Sequence, residues 1–170
     1  AKSKVIIHTP YAVFSKEMYE GIAQVKQQVP NTTMILNSIA SGDNICASAD
    51  YQKNRSKILG TGVSLYEYMC RHSTHGKSLI IDDDIAVVGS YNFDCRSTYV
   101  DTETMLVVQG KEITKQLEED FSRLKSGSLK VNQDGSYQND KDVAERTMDS
   151  KKQGMIKILS YIIQAFRYLA

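Results

Sequence analysis

The chain of 170 residues has the length of a single domain, and its 41% hydrophobic and 24% charged residues are typical of a globular protein with one core. Its 21 basic and 20 acidic residues give a formal net charge of +1, which excludes the strongly basic field of many nucleic-acid-binding proteins. The odd number of cysteines (Cys46, Cys70 and Cys95), without a C-x-x-C spacing, excludes a disulfide framework and a structural zinc site, so we predict reduced, mostly buried thiols.

Strands and helices are predicted to alternate along the first part of the chain. A β-branched run at residues 5–7 precedes residues 15–28, where apolar side chains recur at helical spacing. Residues 34–36 form a second apolar run of strand type, residues 50–59 favour a helix, and residues 63–68 alternate between apolar and polar side chains as a strand does. This order indicates an α/β fold in which helices cover a central sheet.

A hairpin opens the next part of the chain. The triplet Asp82-Asp83-Asp84 separates two apolar runs, and a turn between two strands accounts for all three carboxylates without a bound cation. We assign residues 1–125 to one layered domain with a mixed central sheet flanked by helices. Its remaining elements are predicted as strands at 77–81 and 85–88, a loop at 90–99, a strand at 102–108 and a helix at 112–125.

The residues beyond 125 differ in character from this domain. Residues 126–153 are polar, so we predict an irregular connection with one short helix at 140–146. Residues 154–170 favour a helix on which a narrow polar stripe interrupts an apolar surface. The stripe consists of Lys157, Ser160, Gln164 and Arg167. At about 24 Å this helix is shorter than the ~30 Å hydrocarbon core of a bilayer, so we expect it to dock on protein or to lie at a membrane surface.

The segment HGKSLIIDDDIAVVGSYNFD, residues 75–94, combines apolar strands with residue types that bind phosphate. Side chains alternate along a strand, so His75 and Lys77 are expected to project from one face. The antiparallel return of the chain brings Ser90 and Asn92, again two residues apart, to the same end. An imidazole, an ammonium, a hydroxyl and an amide would therefore converge where a phosphoryl group could bind.

This segment resembles the HKD signature of the phospholipase D superfamily, H-x-K-x-x-x-x-D followed by G-S-x-N. All motif positions are present: His75, Lys77, Asp82, Gly89, Ser90 and Asn92. The resemblance implies phosphodiester transfer without a metal or cofactor, in which one motif histidine attacks phosphorus and a histidine from a second motif protonates the leaving alcohol. Lys77, Ser90 and Asn92 would bind the phosphate, whereas Asp82 and Gly89 would be structural.

The resemblance also implies a carboxylate that fixes the second ring nitrogen of His75. Glu103, on the predicted strand after G-S-x-N, is the candidate, so His75, Lys77 and Glu103 would form the catalytic group. Asp101 on the same strand face is an alternative partner, and an ordinary surface role for Glu103 is another. His72, three residues before His75, would face the opposite way on a strand, which argues against a shared metal.

The chain contains a single H-x-K, since His8 is followed by Thr-Pro and His72 by Ser-Thr. The second motif would come from an N-terminal half or from a second copy of the chain. The segments VIIHTPYAVFSKEMYEGIAQ, LNSIASGDN and YQKNRSKILGTGVSLYEY resemble those that precede the second motif of cardiolipin synthase-like proteins. With a first residue other than Met, this resemblance implies the C-terminal half of such a protein.

The expected activity is that of a cardiolipin synthase-like phosphatidyltransferase or a phospholipase D, acting on a phospholipid such as phosphatidylglycerol. The protein would be bacterial and either membrane-associated, through contact with a membrane surface, or cytoplasmic. No run of residues reaches the ~20 apolar residues of a membrane span. Two alternatives remain open: a homodimeric nuclease of the same superfamily, which the charge balance disfavours, and a catalytically silent half that only binds phosphate or a membrane surface.

Arg55 lies one helical turn after Tyr51 in the predicted helix at 50–59. Its guanidinium would either reach a phosphate or lipid headgroup or cap a solvated helix face. The sequence does not decide between these roles.

Overall fold

The computed structural model describes residues 1–138 and 140–167. The strands are β1 (Val5–His8), β2 (Ala12–Val13), β3 (Thr32–Asn37), β4 (Ser64–Tyr68), β5 (Ser78–Ile81), β6 (Ile85–Gly89), β7 (Phe93–Asp94), β8 (Met105–Gln109) and β9 (Ser128–Lys130). The helices are α1 (Lys16–Gln28), α2 (Ile45–Gly60), α3 (Cys95–Tyr99), α4 (Lys111–Ser126) and α5 (Ser150–Ile162), which a 3-10 turn at Ile163–Ala165 follows.

Seven strands form one mixed sheet in the order β8-β6-β5-β1-β3-β4-β9, and β2 pairs separately with β7. Strands β1, β3 and β4 are parallel. Strand β5 is antiparallel to β1, and β6 and β8 continue the antiparallel pairing toward the edge. The predicted α/β fold with a mixed central sheet flanked by helices is confirmed.

Helices cover both faces of the sheet because successive side chains of a strand point in opposite directions. Met34 lies in the same apolar cluster as Ile58 of α2, on the face that α1 also covers. Its neighbour in β3, Ile35, lies in a cluster with Phe121 of α4 on the other face. Burial of each such side chain contributes about 1.5–3 kcal/mol, so the two apolar layers hold the sheet between α1 and α2 on one side and α4 on the other.

Several boundaries differ from the predictions because caps and distant pairings set them. Helix α2 begins at Ile45 rather than at residue 50, since Asn44 Oδ1 accepts a hydrogen bond from the Ala47 N–H at 3.0 Å and so caps the helix. The predicted loop at 90–99 contains β7 and α3, and α3 is capped by Asp94. Strand β8 covers Met105–Gln109, not residues 102–108.

The polar region after residue 125 is more regular at its start than predicted and less regular later. Strand β9 adds to the sheet by antiparallel pairing with β4, and Val131 and Tyr137 form a further antiparallel bridge. The helix predicted at 140–146 is wrong, because this segment has no regular secondary structure. The chain becomes helical only at Ser150, where Asp149 Oδ1 accepts from the Lys152 N–H at 2.8 Å.

Helix α5 packs on α2, where Ile156 and Ile163 join Ala49 in a buried cluster. Residues 168–170 of the helix predicted at 154–170 lie outside the described residues. Over the part of the chain that is described, no helix combines the length and the apolar character needed to cross a membrane.

Two further expectations are corrected. Only Cys95 is buried, while Cys46 is half-buried and Cys70 is exposed, so the prediction of mostly buried thiols is wrong. Arg55 neither reaches outward nor caps a solvated face, because its Nε lies 2.6 Å from Oε1 of the fully buried Glu67. The pair is internal because α2 packs over β4, a neighbour that sequence spacing does not specify.

Candidate active site

The predicted catalytic and phosphate-binding residues gather at one end of the sheet. Strands β1, β3 and β6 end there and β5 begins there, since β5 is antiparallel to both β1 and β6. Loops at the carboxyl ends of strands are where α/β proteins commonly place functional groups. The HKD residues before β5 and after β6 are therefore brought to the same edge as the loops after β1 and β3.

His75 and Lys77 lie side by side just before β5, which begins at Ser78 and not at residue 77. Lys77 Nζ lies 2.8 Å from His75 Nδ1 and 3.2 Å from Nε2, and donates to the His75 carbonyl oxygen at 2.9 Å. Because an ammonium group only donates, the ring nitrogen that faces it is an acceptor. Burial lowers the pKa of Lys77, and nearby carboxylates, Glu103 first, oppose this shift.

Ser90 is held by the segment that leads into β8. Its hydroxyl donates to Glu103 Oε2 and accepts from the Thr104 N–H at 3.0 Å. Hydrogen bonds from Ser90 and Ser97 lower the pKa of Glu103, and the charge of Lys77 adds to the effect. The carboxylate is therefore an anion that accepts a hydrogen bond from the motif serine and is stabilised by the nearby charge of the motif lysine.

The expected carboxylate positions need correction. Glu103 lies before β8 rather than within it, and its carboxylate bonds to Ser90 in the described structure. Asp101 also precedes β8, and its Oδ2 lies 3.0 Å from Arg96 Nε, so it is engaged in a different ion pair. The orientation of His75 by Glu103 stays a prediction.

Asn92 lies deeper, next to α3. Its backbone N–H and its Nδ2 donate to Ser97 Oγ at 3.2 and 3.4 Å. Its Oδ1 is buried and has no hydrogen-bond partner among residues 1–138 and 140–167. The structure thus anchors the Asn92 side chain through one serine, and its contact with a phosphate stays a prediction.

Gly89 is needed for a close approach of two strands. A Cβ at this position would lie 2.1 Å from the Thr104 carbonyl oxygen and 2.8 Å from Met105 Cα. Both atoms belong to backbone, so they cannot move aside without disturbing the pairing of β6 with β8. The motif glycine therefore sets the position of the Ser90 hydroxyl that follows it.

A buried clamp that the sequence did not reveal holds the backbone next to His75. The Thr74 N–H donates to Asn37 Oδ1 at 2.8 Å, and Asn37 Nδ2 donates to the Thr74 carbonyl oxygen at 2.9 Å. Thr74 Oγ1 lies 2.9 Å from His8 Nε2, and a Cβ on Gly76 would lie 2.6 Å from His8 Cε1. Burial, with a smaller effect of the nearby Lys77, lowers the pKa of His8 to about 4. Its ring is therefore uncharged at neutral pH and packs against the residues next to His75.

Tyr11 and Asp43 are further residues of the site that sequence reasoning missed. The Tyr11 ring lies edge-on to the His75 ring, with 5.9 Å between centroids. Its hydroxyl donates to Asp43 Oδ1 at 2.8 Å, and Ser73 Oγ donates to Asp43 Oδ2 at 3.0 Å. The sequence feature that could have identified them is their position, because both residues follow strands that end at the site.

Asp82 has a structural task at the opposite end of β5. Its backbone adopts a left-handed conformation with φ of 56°. Its Oδ1 accepts hydrogen bonds from the N–H groups of Lys2, Ser3 and Lys4 at 2.9, 2.7 and 3.2 Å. These donors hold the pKa of Asp82 well below its usual range. The carboxylate thus fastens the first residues of the chain to the hairpin.

We expect Asp82→Asn to lower the urea midpoint of unfolding at neutral pH. Folding lowers the pKa of this carboxyl below its ordinary value of 3.8, so the anion stabilises the fold above that pH, and the stabilisation is lost as the pH falls through the folded pKa. The two midpoints should therefore converge in acid. Asp84→Asn, at a neighbouring carboxylate that accepts one hydrogen bond from Gln109 at 3.2 Å, is the control, and a pH-independent difference for Asp82→Asn would contradict the prediction.

The fold and this geometry match a known family. The family described as "Cardiolipin synthase, PLD-like domain" matches residues 1–125. The chain belongs to this family. The matched part of the PLD-like domain contains every HKD residue and Glu103, so the resemblance noted in the sequence is confirmed.

A curated relative supports the same conclusion. Cardiolipin synthase A of Buchnera aphidicola subsp. Acyrthosiphon pisum (strain APS) is 27% identical over 117 residues, which cover 69% of this chain and 24% of that protein. The PLD-like chain spans about a quarter of the length of the curated relatives it matches.

Two solved structures share the fold. Nuc, a phospholipase D family member from Salmonella typhimurium, superposes with a TM-score of 0.65 at 16% identity, covering 78% of this chain and 84% of that chain. The phosphatidylserine synthase of Haemophilus influenzae Rd KW20 gives a TM-score of 0.74 at 14% identity, covering 99% of this chain and 42% of that chain. At these identities the likeness concerns the fold alone.

Proposed function

We propose that this PLD-like domain transfers a phosphatidyl group from a phospholipid to an alcohol or to water through a covalent phosphohistidine, without a metal or cofactor. The contact of 2.8 Å between Lys77 Nζ and His75 Nδ1 at an open end of the sheet carries the proposal. His75 acts as nucleophile or general acid, and Glu103 orients its ring. Lys77, Ser90 and Asn92 stabilise the charge on the phosphoryl oxygens.

The reaction has two steps. A neutral imidazole nitrogen bonds to phosphorus while the bond from phosphorus to the leaving alcohol breaks, and a partner histidine protonates that alcohol. An acceptor hydroxyl or water then attacks phosphorus, the partner histidine removes its proton, and the first imidazole leaves. His75 fills one of the two histidine roles.

The family and its relatives favour a phospholipid substrate over a nucleic acid. The matching family and the Buchnera relative both carry the name cardiolipin synthase. The net charge of +1 supplies no broad basic field for a polynucleotide. Phosphatidylglycerol is therefore the proposed substrate, and a membrane-associated bacterial enzyme the proposed setting.

An apolar patch beside the site suits the partner that supplies the second histidine. It lies on the β6–β8 edge of the sheet and at the end of α3, and we call it the edge patch. Its members are Val88, Tyr99, Val100 and Leu106, which are 40–60% exposed, and the paired residues Val88 and Leu106 share one face of the sheet. Exposed edge strands and apolar patches mark interaction sites, so we assign the edge patch to the other HKD half or to a second copy of the chain.

Turnover of phosphatidylglycerol in the presence of EDTA tests the proposal. Cardiolipin or phosphatidic acid should form, and the rate should rise faster than linearly with protein concentration if two copies build the site. Duplex DNA is assayed in parallel. Cleavage of DNA with steep salt dependence and no lipid product would favour a homodimeric nuclease, and no turnover of either substrate would favour a silent half that only binds.

A further inference from the structure

The inward side of α5 and of the turn that follows it is mixed: Ile156 and Ile163 pack on Ala49, and polar side chains of the stripe face inward beside them. Gln164 Nε2 and Arg167 Nε lie 3.0 and 2.7 Å from Asp50 Oδ1. Asp50 is fully buried and Ser160 is 5% exposed. The charge of Arg167 compensates the buried carboxylate, and this pairing turns most of the polar stripe inward.

The opposite side of the helix is consequently apolar and open to solvent. Five large side chains, 41–66% exposed, form what we call the α5 outer face: Met155, Ile158, Tyr161, Ile162 and Phe166. A continuous apolar surface of this kind on a folded protein marks a site of interaction. It is separate from the edge patch, which lies on other elements.

The charges around the α5 outer face indicate what it contacts. Four exposed lysines lie on the same two helices, Lys53 and Lys57 on α2 and Lys151 and Lys157 on α5. Lys53 Nζ lies 4.0 Å from the centroid of the Tyr161 ring. The two helices contain a single carboxylate, the buried and paired Asp50, and Asp149, just before α5, caps the helix.

This combination fits an anionic lipid surface better than a protein. Lysine is depleted in protein–protein interfaces, whereas helices that lie in the membrane interface combine an apolar face with flanking lysines. Lipid phosphates would contact the lysines while the apolar side chains enter the boundary between headgroups and acyl chains.

The α5 outer face is also linked to the candidate active site. Lys152, in the first turn of α5, donates from Nζ to the carbonyl oxygens of Ala40 and Gly42 at 2.9 and 2.7 Å. The next residue in that loop, Asp43, accepts the hydrogen bond of Tyr11, whose ring contacts His75. A surface that holds α5 therefore holds the loop beside the motif histidine.

We propose that the α5 outer face docks the protein on an anionic bilayer and so presents the HKD site to lipid headgroups, an inference that rests on the proposed phospholipid substrate. Each inserted apolar side chain should contribute about tenfold or more to vesicle affinity. The lysines should make the affinity depend on anionic lipid and fall with added salt.

The test is sedimentation of the full 170-residue chain with vesicles of phosphatidylcholine, with or without phosphatidylglycerol. All proteins carry His75→Ala, so that turnover plays no part. Binding should require phosphatidylglycerol and should fall at least about 100-fold in the Ile158→Glu, Phe166→Glu variant. A control variant on α4, Ile113→Glu, replaces an apolar side chain that is 42% exposed and should bind as the parent does, and unfolding midpoints confirm that each variant is folded.

Other outcomes overturn the proposal. Equal binding by the α5 variant would show that another surface contacts lipid. Absence of vesicle binding, with self-association in sedimentation velocity that Ile158→Glu abolishes, would assign the face to a second copy. Absence of both would assign it to a different protein. Turnover of phosphatidylglycerol in detergent micelles, measured on the protein with His75 intact, tests the proposed function separately, since it does not require a bilayer.

Discussion

Replacement of His75 by alanine is expected to lower phosphatidylglycerol turnover by about 10²- to 10⁴-fold, the range that a positioned proton-transfer group contributes. The loss should appear in kcat, because the imidazole acts on the reacting atoms and contributes little to lipid binding. Lys77 would remain to bind the phosphate, since its ammonium also bonds to the backbone carbonyl of residue 75. Product formation with radiolabelled lipid measures the effect.

His72→Ala is the matched control, because His72 is an exposed histidine three residues away that lies outside the HKD motif. It should retain the activity of the unaltered protein. An equal loss in both variants would attribute the effect to disturbance of the loop, and full activity of His75→Ala would refute the assignment of this ring to the chemistry.

Replacement of Glu67 by glutamine is expected to destabilise the fold by about 3–5 kcal/mol, the usual effect of removing one member of a buried ion pair. Glu67 is fully buried. Its two oxygens accept hydrogen bonds from Tyr51 and Tyr137 at 2.5 Å each, and Arg55 Nε lies 2.6 Å from Oε1. The amide would face three donors with one oxygen and leave the Arg55 charge uncompensated.

Urea denaturation at neutral pH measures this loss, with Glu119→Gln on the exposed side of α4 as the control. Surface substitutions of this kind usually change stability by less than about 0.5 kcal/mol. Similar midpoints for the two variants would contradict the account of Glu67 as the centre of the polar cluster that joins α2, β4 and the segment after β9.

The elements that could be predicted from sequence are those fixed by local pattern. The β5–β6 hairpin follows from two apolar runs around a turn, and α4 from apolar residues at helical spacing. Strands β2 and β7 contain two residues each and exist only because Ala12 and Val13 pair with Phe93 and Asp94 across the fold. Such short elements have no local signal, so distant pairing decides them.

Much of the candidate site could be predicted in the same way, because the HKD motif is a set of residue types at fixed spacing in the sequence. Tyr11 and Asn37 were missed because each reaches the motif from another strand end. The sequence also could not predict that the polar stripe faces inward. This orientation depends on Asp50, a carboxylate far away in the chain that is buried beneath the helix.

The contact between His8 and Gly76 has an evolutionary consequence. A side chain at position 76 requires the His8 imidazole to move, because the added carbon would lie 2.6 Å from its Cε1. We expect alanine at position 76 to destabilise the protein less when residue 8 carries a smaller side chain. The two positions are therefore epistatic, and the order in which substitutions arise decides which variants of this motif can be reached.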